Sequence, residues 1–197
     1  MATSVIKLII LPLVFITLYL GTHAHAETTM CVRLFDYQKS EQSISSSWRL
    51  VNDDVMGGRS IGRYTVNDNH LAFWGFINTN GGGFSSIRLS VPSLPFFGFD
   101  HIRMSVRSDG RPYTLSLADQ FSVRRGISHR ARIDTEARAD FQEIEISKDV
   151  FSPMFRGRMV QAPPLDTNAM QEMRVMLSDS VDGDFRLDLQ WIDVCRL

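Results

Sequence analysis

Trp48-Arg49-Leu50-Val51-Asn52-Asp53-Asp54-Val55-Met56-Gly57-Gly58-Arg59-Ser60 opens the stretch on which the reading of this chain turns. It runs on through Leu71-Ala72-Phe73-Trp74-Gly75-Phe76-Ile77 to Asn80-Gly81-Gly82-Gly83-Phe84-Ser85-Ser86-Ile87-Arg88. Two glycine-bearing turns bracket a segment that alternates with period two and is apolar at both sets of positions. Period two is the mark of a strand, and two apolar sets predict a strand covered on both faces.

Further strands are expected outward from this centre. Cys31 to Phe35 and Phe84 to Val91 are two of them. In the next, Ile102, Met104 and Val106 alternate with Arg103, Ser105 and Arg107, which predicts one buried and one wet face. Asp109-Gly110 marks a hairpin turn, with Tyr113 to Ala118 returning. Gly126 to Ile133, Phe141 to Ile146, Met170 to Leu177 and Phe185 to Val194 complete the set, with Asp182-Gly183 as the turn before the last. No sustained helical period exceeds about two turns, and Asp149 to Phe155 is read as one short turn. Many short strands separated by Gly/Asp turns predict an all-β fold, an antiparallel sandwich or jelly roll, over residues 27–197.

The segment before it reads as a leader. Lys7 precedes an apolar run from Leu8 to Leu20, and Ala24-His25-Ala26 supplies small residues for cleavage. Residues 1–26 therefore fit a secretory signal peptide, and a secreted or periplasmic domain is expected. Membrane contact would come only through an uncleaved leader. Cys31 and Cys195 are the only cysteines and stand near the two ends of that domain, so a disulfide between first and last strands is expected.

The charge balance, 21 basic against 22 acidic residues, excludes a general nucleic-acid binder. Every basic residue but Lys7, Lys39 and Lys148 is Arg, which suits carboxylate recognition at interfaces but equally reflects compositional bias.

Catalytic chemistry finds little support. Asp53 and Asp54 are adjacent carboxylates that would bind a cation or act as acid and base, or cap backbone N–H groups as an Asx turn; the turn is the preferred reading. Asn80 to Phe84 lacks the Lys-Ser/Thr pair of a phosphate loop. Asp179 to Asp184 lacks the spacing and closing Glu of an EF-hand; between a structural calcium ion and a plain hairpin turn, the hairpin turn is the preferred reading. His70, His101 and His129 are scattered. Arg124, Arg125, Arg130 and Arg132 with His129 form a basic patch that suits an anionic partner or a solvated strand face. No catalytic residue, metal site or cofactor is assigned. A hydrolase using Asp53 or Asp54 is the weakest of the readings.

The pattern Trp48-x₃-Asn52-Asp53-x₂-Met56-Gly57-Gly58-x-Ser60, Phe73-x-Gly75, Asn80-x₂-Gly83-Phe84-x-Ser86-x-Arg88 resembles the complex I intermediate-associated protein 30 family. Val106-Arg107-x-Asp109-Gly110-Arg111-x-Tyr113, Phe151-Ser152-Pro153 with Arg156-Gly157, and Gly183-x-Phe185-x-Leu187 with Trp191-Ile192 extend the match across the domain. The resemblance implies a galactose-binding-domain-like sandwich and a non-catalytic role as assembly factor or chaperone for respiratory complex I, a protein partner, although the leader read above would export this chain where the family's mitochondrial members are not exported. One departure is Phe141, where the family pattern has Trp. Candidate binding residues are Asn52, Asp53, Asp54, Met56, Gly57, Gly58, Gly83, Phe84, Arg88, Arg107, Asp109 and Tyr113. Arg88 and Arg107 are expected to be partly buried and paired with Asp53, Asp54 or Asp109. The alternative is a carbohydrate-binding module of the cell envelope, with Trp48, Tyr64, Trp74 and Tyr113 as stacking platforms, although Trp74 suits the core better.

Overall fold

The computed structural model describes residues 29–39, 48–67, 69–91 and 98–196. Residues 1–26, read above as a leader, and most of the Ser-rich stretch around residues 40–47 lie outside the described residues. In chain order the strands are β1 (Met30–Asp36), β2 (Trp48–Asn52), β3 (Ile61–Val66), β4 (Leu71–Ile77), β5 (Ser85–Ser90), β6 (His101–Ser108) and β7 (Thr114–Asp119). After helix α1 (Gln120–Arg125) come β8 (Ile127–Arg132), β9 (Gln142–Ser147), β10 (Ser152–Phe155), β11 (Arg158–Met159), β12 (Met170–Leu177) and β13 (Gly183–Arg196).

Every pairing between named strands is antiparallel. The first sheet runs β3-β4-β13-β6-β9, and β1 also pairs with β13. The second runs β11-β10-β8-β7-β12-β5-β2. The long β13 serves two neighbours along one side: Gly183 to Leu189 pair with β4, and Trp191 to Arg196 with β1.

The period-two pattern decides what lies between the sheets. Leu71, Phe73 and Ile77 of β4, Ile102, Met104 and Val106 of β6, and Leu187 and Leu189 of β13 have no exposed surface. They face Ile87, Leu89, Leu115, Leu117 and Val175 of the second sheet, which are equally buried. Each such side chain contributes about 1.5–3 kcal/mol by leaving water.

Two expectations are corrected. The second apolar set of β4 is not fully covered, because the sandwich has two layers and this face looks outward: Trp74 is half-buried and Phe76 exposed, so Trp74 is not a core residue. Asp109-Gly110 does not close a hairpin, since β6 belongs to the first sheet and β7 to the second; Asp182-Gly183 likewise carries the chain between sheets, from β12 to β13. The short helix α1 falls between two expected strands and is under two turns long, so the all-β reading stands. Asp119 caps it by accepting from Ser122 N at 2.7 Å, and Gly126 ends it in the left-handed conformation.

The disulfide between Cys31 and Cys195 is formed. The two residues are direct partners in the β1/β13 ladder, with Cα atoms 4.1 Å apart. It ties the first described strand to the last.

Candidate functional site

The two glycine-bearing turns meet. β2 ends at Asn52, and residues Asp53 to Met56 turn in a single 3₁₀ winding. The Asp53 side chain points inward and the residue is fully buried, whereas Asp54 and Met56 are exposed. Asp53 Oδ1 accepts from Ser60 N at 2.8 Å. Asp53 Oδ2 accepts from Ser60 Oγ at 2.6 Å, Gly83 N at 2.5 Å and Phe84 N at 3.3 Å. Burial by itself pushes this carboxyl up, but the Ser60 and Gly83 donors, with Phe84, hold it below its ordinary value. One carboxylate thus clasps both turns.

The clasp explains two of the glycines sterically. A Cβ at Gly58 would lie 2.2 Å from Asp53 Cγ, and one at Gly82 would lie 2.4 Å from Asp53 Oδ2. Beside it, Asn52 Oδ1 accepts from Gly62 N at 3.1 Å and from Ser85 Oγ at 2.7 Å. Gly62 belongs to the first sheet, and Asn52 and Ser85 to the second, so the Asn-Asp pair pins one sheet to the other. Both Asp53 oxygens are occupied by internal donors, an arrangement suited to holding backbone in place.

Asp109 and Tyr113 form a separate corner. Tyr113 is fully buried, and its hydroxyl donates to Asp109 Oδ2 at 3.2 Å. Burial, reinforced by the Asp109 carboxylate, pushes the phenol far above its usual value. Asp109 Oδ2 also accepts from Arg186 N at 2.8 Å. Arg111, two residues on, makes a two-pronged contact with Asp179 at 2.9 and 2.7 Å and donates to the carbonyls of Val181, Gly183 and Asp184. A guanidinium therefore cross-links the Asp179 to Asp184 turn, and Asp182 Oδ1 accepts from Thr79 N at 2.7 Å. Among the described residues no group of three or more His, Cys, Asp or Glu side chains is gathered for a metal ion.

Arg107 and Arg88 lie on opposite outer faces, away from the clasp. Arg107 is paired with a carboxylate, but the partner is Asp188: its Nη2 and Nε donate to Oδ2 at 2.6 and 2.9 Å. Asp188 is buried and also takes Arg186 at 3.0 Å, with His70 Nε2 at 3.4 Å. Phe141 supplies a ring face to the Arg107 guanidinium 4.7 Å from its centroid. Arg88 is half-buried, yet its hydrogen bond is to Ser86 Oγ at 3.4 Å and it has no ion pair among the described residues. Asp53, Asp54 and Asp109 pair with neither arginine: the Asp53 oxygens are taken by Ser60, Gly83 and Phe84, Asp109 Oδ2 by Tyr113 and Arg186 N, and Asp54 is exposed beyond the end of β2. The candidate residues thus form a clasp, a corner and two face positions rather than one site. Ser60, Arg111, Asp179 and Asp188 were not among them; their signal is long-range pairing, which strand periodicity does not carry.

Two of the expected stacking platforms are buried: Trp48 is 5% and Tyr113 0% exposed. Tyr64 is half-buried and spends its hydroxyl on Trp48 O at 2.8 Å.

The model of the family described as complex I intermediate-associated protein 30 matches residues 35–189. The chain belongs to that family. Among curated proteins, the mouse (Mus musculus) complex I intermediate-associated protein 30, mitochondrial, is 26% identical over 180 residues, covering 80% of this chain and 55% of that protein. The chain thus spans about half the length of the relative it matches. Among solved structures, the family 11 carbohydrate-binding module of cellulase Lic26A-Cel5E of Clostridium thermocellum superposes with a TM-score of 0.55 at 16% identity, over 75% of this chain and 87% of that one. The same module bound to a β-1,3-1,4-mixed-linked tetrasaccharide gives 0.54 at 17%, over 75% and 88%. At this identity the likeness is one of fold, and it agrees with the galactose-binding-domain-like sandwich implied by the family.

A secreted or periplasmic location is corrected by the same comparison, since the curated relative is a mitochondrial protein. One Lys before an apolar run does not separate destinations physically, because targeting segments are addresses read by receptors. No helix among the described residues is long and apolar enough to cross a membrane.

Proposed function

We propose that this chain is a non-catalytic protein-binding domain that acts in assembly of a multi-subunit complex, in the manner of the complex I intermediate-associated proteins. The observation that carries the reading is the state of Asp53. The one motif carboxylate placed to do chemistry is buried and accepts four hydrogen bonds from Ser60, Gly83 and Phe84. The family motif therefore supports a rigid scaffold, which leaves the outer surfaces for recognition. Carbohydrate binding is supported by fold likeness alone, and the burial of Trp48 and Tyr113 weakens it.

The test is delivery of the tagged full chain, with a mitochondrial leader, to mouse cells deleted for the relative. Co-migration with complex I assembly intermediates on native gels is the expected result. A folded chain that migrates only as a free monomer overturns the proposal, and saturable binding on a neutral glycan array would then favour the carbohydrate module.

A further inference from the structure

The outer face of the second sheet carries a row of arginines that strand register brings together. Arg49 on β2 stands opposite Arg88 on β5, and Arg88 opposite Arg174 on β12. Arg174 stands opposite Ser116 on β7, and Ser116 opposite Arg130 on β8. Like charges directly opposite one another destabilise a sheet. Glu172 accepts from Arg49 at 3.3 Å and from Arg174, and among the described residues it is the carboxylate paired to this row. Arg88 and Arg130 are half-buried, and their hydrogen bonds go to Ser86 and Ser128. Burial, then the neighbouring Arg174, brings the Arg88 guanidinium down to about 10, and the same two causes lower Arg130.

A second observation marks the middle of the row. Ser116 is 1% exposed, and its hydroxyl has no hydrogen-bond partner among the described residues. Buried hydroxyls are normally satisfied, so an unpaired one between two cations is an unfilled donor. The neighbouring strand positions on this face include Ser86, Ser90, Thr114, Ala118, Ser128 and Met176, small or flexible side chains without a ring on which a base or sugar would stack, and Arg132, opposite Thr114, is already paired with Asp134.

We infer that this face docks an extended acidic segment of a protein partner, its carboxylates seated on Arg49, Arg88, Arg174 and Arg130 and a further acceptor on the Ser116 hydroxyl. Charge complementarity names the occupant: the face holds cations in excess of its one glutamate, and arginine forks match carboxylates. Size agrees. From β2 to β8 is four strand spacings, about 19 Å, and an extended chain presents one side every ~6.6 Å, so three or four carboxylates at alternate positions span the row. That the acidic chain is a protein rests on the assembly reading above.

Fluorescence anisotropy on the purified full chain, with a labelled eight-residue peptide alternating Asp and Ser, tests this. Saturable binding is expected, weakened at least tenfold by the double variant Arg88→Gln, Arg130→Gln and unchanged by Arg103→Gln on the opposite face. A Lys-Ser peptide should not bind. The pair Arg88→Lys, Arg130→Lys, which keeps charge, should lose less than the Gln pair and serves if the latter does not fold. Equal binding by parent and both pairs overturns the inference, as does tighter binding of an oligouronate or an oligonucleotide than of the peptide. The native-gel experiment separates the two proposals. Co-migration that survives the Gln pair defeats this face and leaves the assembly reading standing. Peptide binding without co-migration keeps the face and defeats the assembly reading.

Discussion

The two outer faces of this sandwich are built on the same cation and treat it in opposite ways. On the first sheet four arginines are matched to carboxylates: Arg107 and Arg186 to Asp188, Arg33 to Asp193, Arg103 to Glu143. On the second, four arginines stand in one row, and among the described residues only Arg49 and Arg174 reach a carboxylate, Glu172. A matched face spends its charge on holding neighbouring strands. An unmatched face retains charge that the fold does not use, and such local conflict tends to mark function rather than folding.

The contrast makes the first sheet the fragile one. Asp188→Ala should cause the largest loss, about 2–4 kcal/mol in urea unfolding, because it strands two guanidinium groups beside a buried position. A loss under about 0.5 kcal/mol would mean that the matched face is decorative. Arg107→Lys should come next, at about 1–2 kcal/mol, since the ammonium keeps charge but loses the fork to Asp188 and the flat contact with Phe141.

His70 gives the same face a pH dependence. Burial lowers its pKa below 6.5; Arg107 and Arg186 push the same way, and Asp188 opposes them. The unfolded chain therefore takes up the His70 proton first as pH falls. Stability from the neutral ring is present above about 6.5 and is lost as pH drops through the lower folded value. Melting temperature should decline over that window in the parent, and the decline should flatten in His70→Phe. An unchanged slope would sever His70 from the ion-pair cluster.

The smallest effect belongs to the second sheet. Arg88→Gln should leave stability unchanged or raise it by up to about 0.5 kcal/mol, as relief of like-charge contact offsets lost packing by the Arg88 stem. A loss above about 1.5 kcal/mol in the same urea assay would show that Arg88 holds the sheet together and erase the difference between the faces.

Much of the architecture was legible because strand faces repeat every two residues. Arg103 and Arg107 reach the outer face as their alternation predicts, although Ser105 between them is buried, and Cys31 meets Cys195 as their terminal positions predict. The glycines around Asp53 fit a close approach of two turns: Gly58 and Gly82 have no room for a side chain beside Asp53, a Cβ at Gly81 would lie 2.9 Å from Gly57 O, and Gly57 and Gly83 hold positive φ. What alternation cannot carry is register. Arg49, Arg88, Arg174 and Arg130 lie on four separate strands, and only the ladder puts them in one row. Asp109-Gly110 looks like a hairpin locally; Tyr113 and Arg186, reached through the fold, make it a corner. The helix α1 had its cap, Asp119, and its stop, Gly126, in plain sight, but six residues are too few for a helical period to emerge.

The Cys31–Cys195 bond has a mechanical meaning. A pull applied upstream of residue 31 and downstream of residue 195 runs through that covalent bridge, and the 164-residue separation it closes carries no load. Both sheets, the clasp and the arginine row sit inside this unloaded ring. Tension applied through the two ends of the chain would therefore reach them only after the bridge is reduced, and a force-extension trace of the oxidised chain pulled from those ends should show no unfolding step from the sandwich.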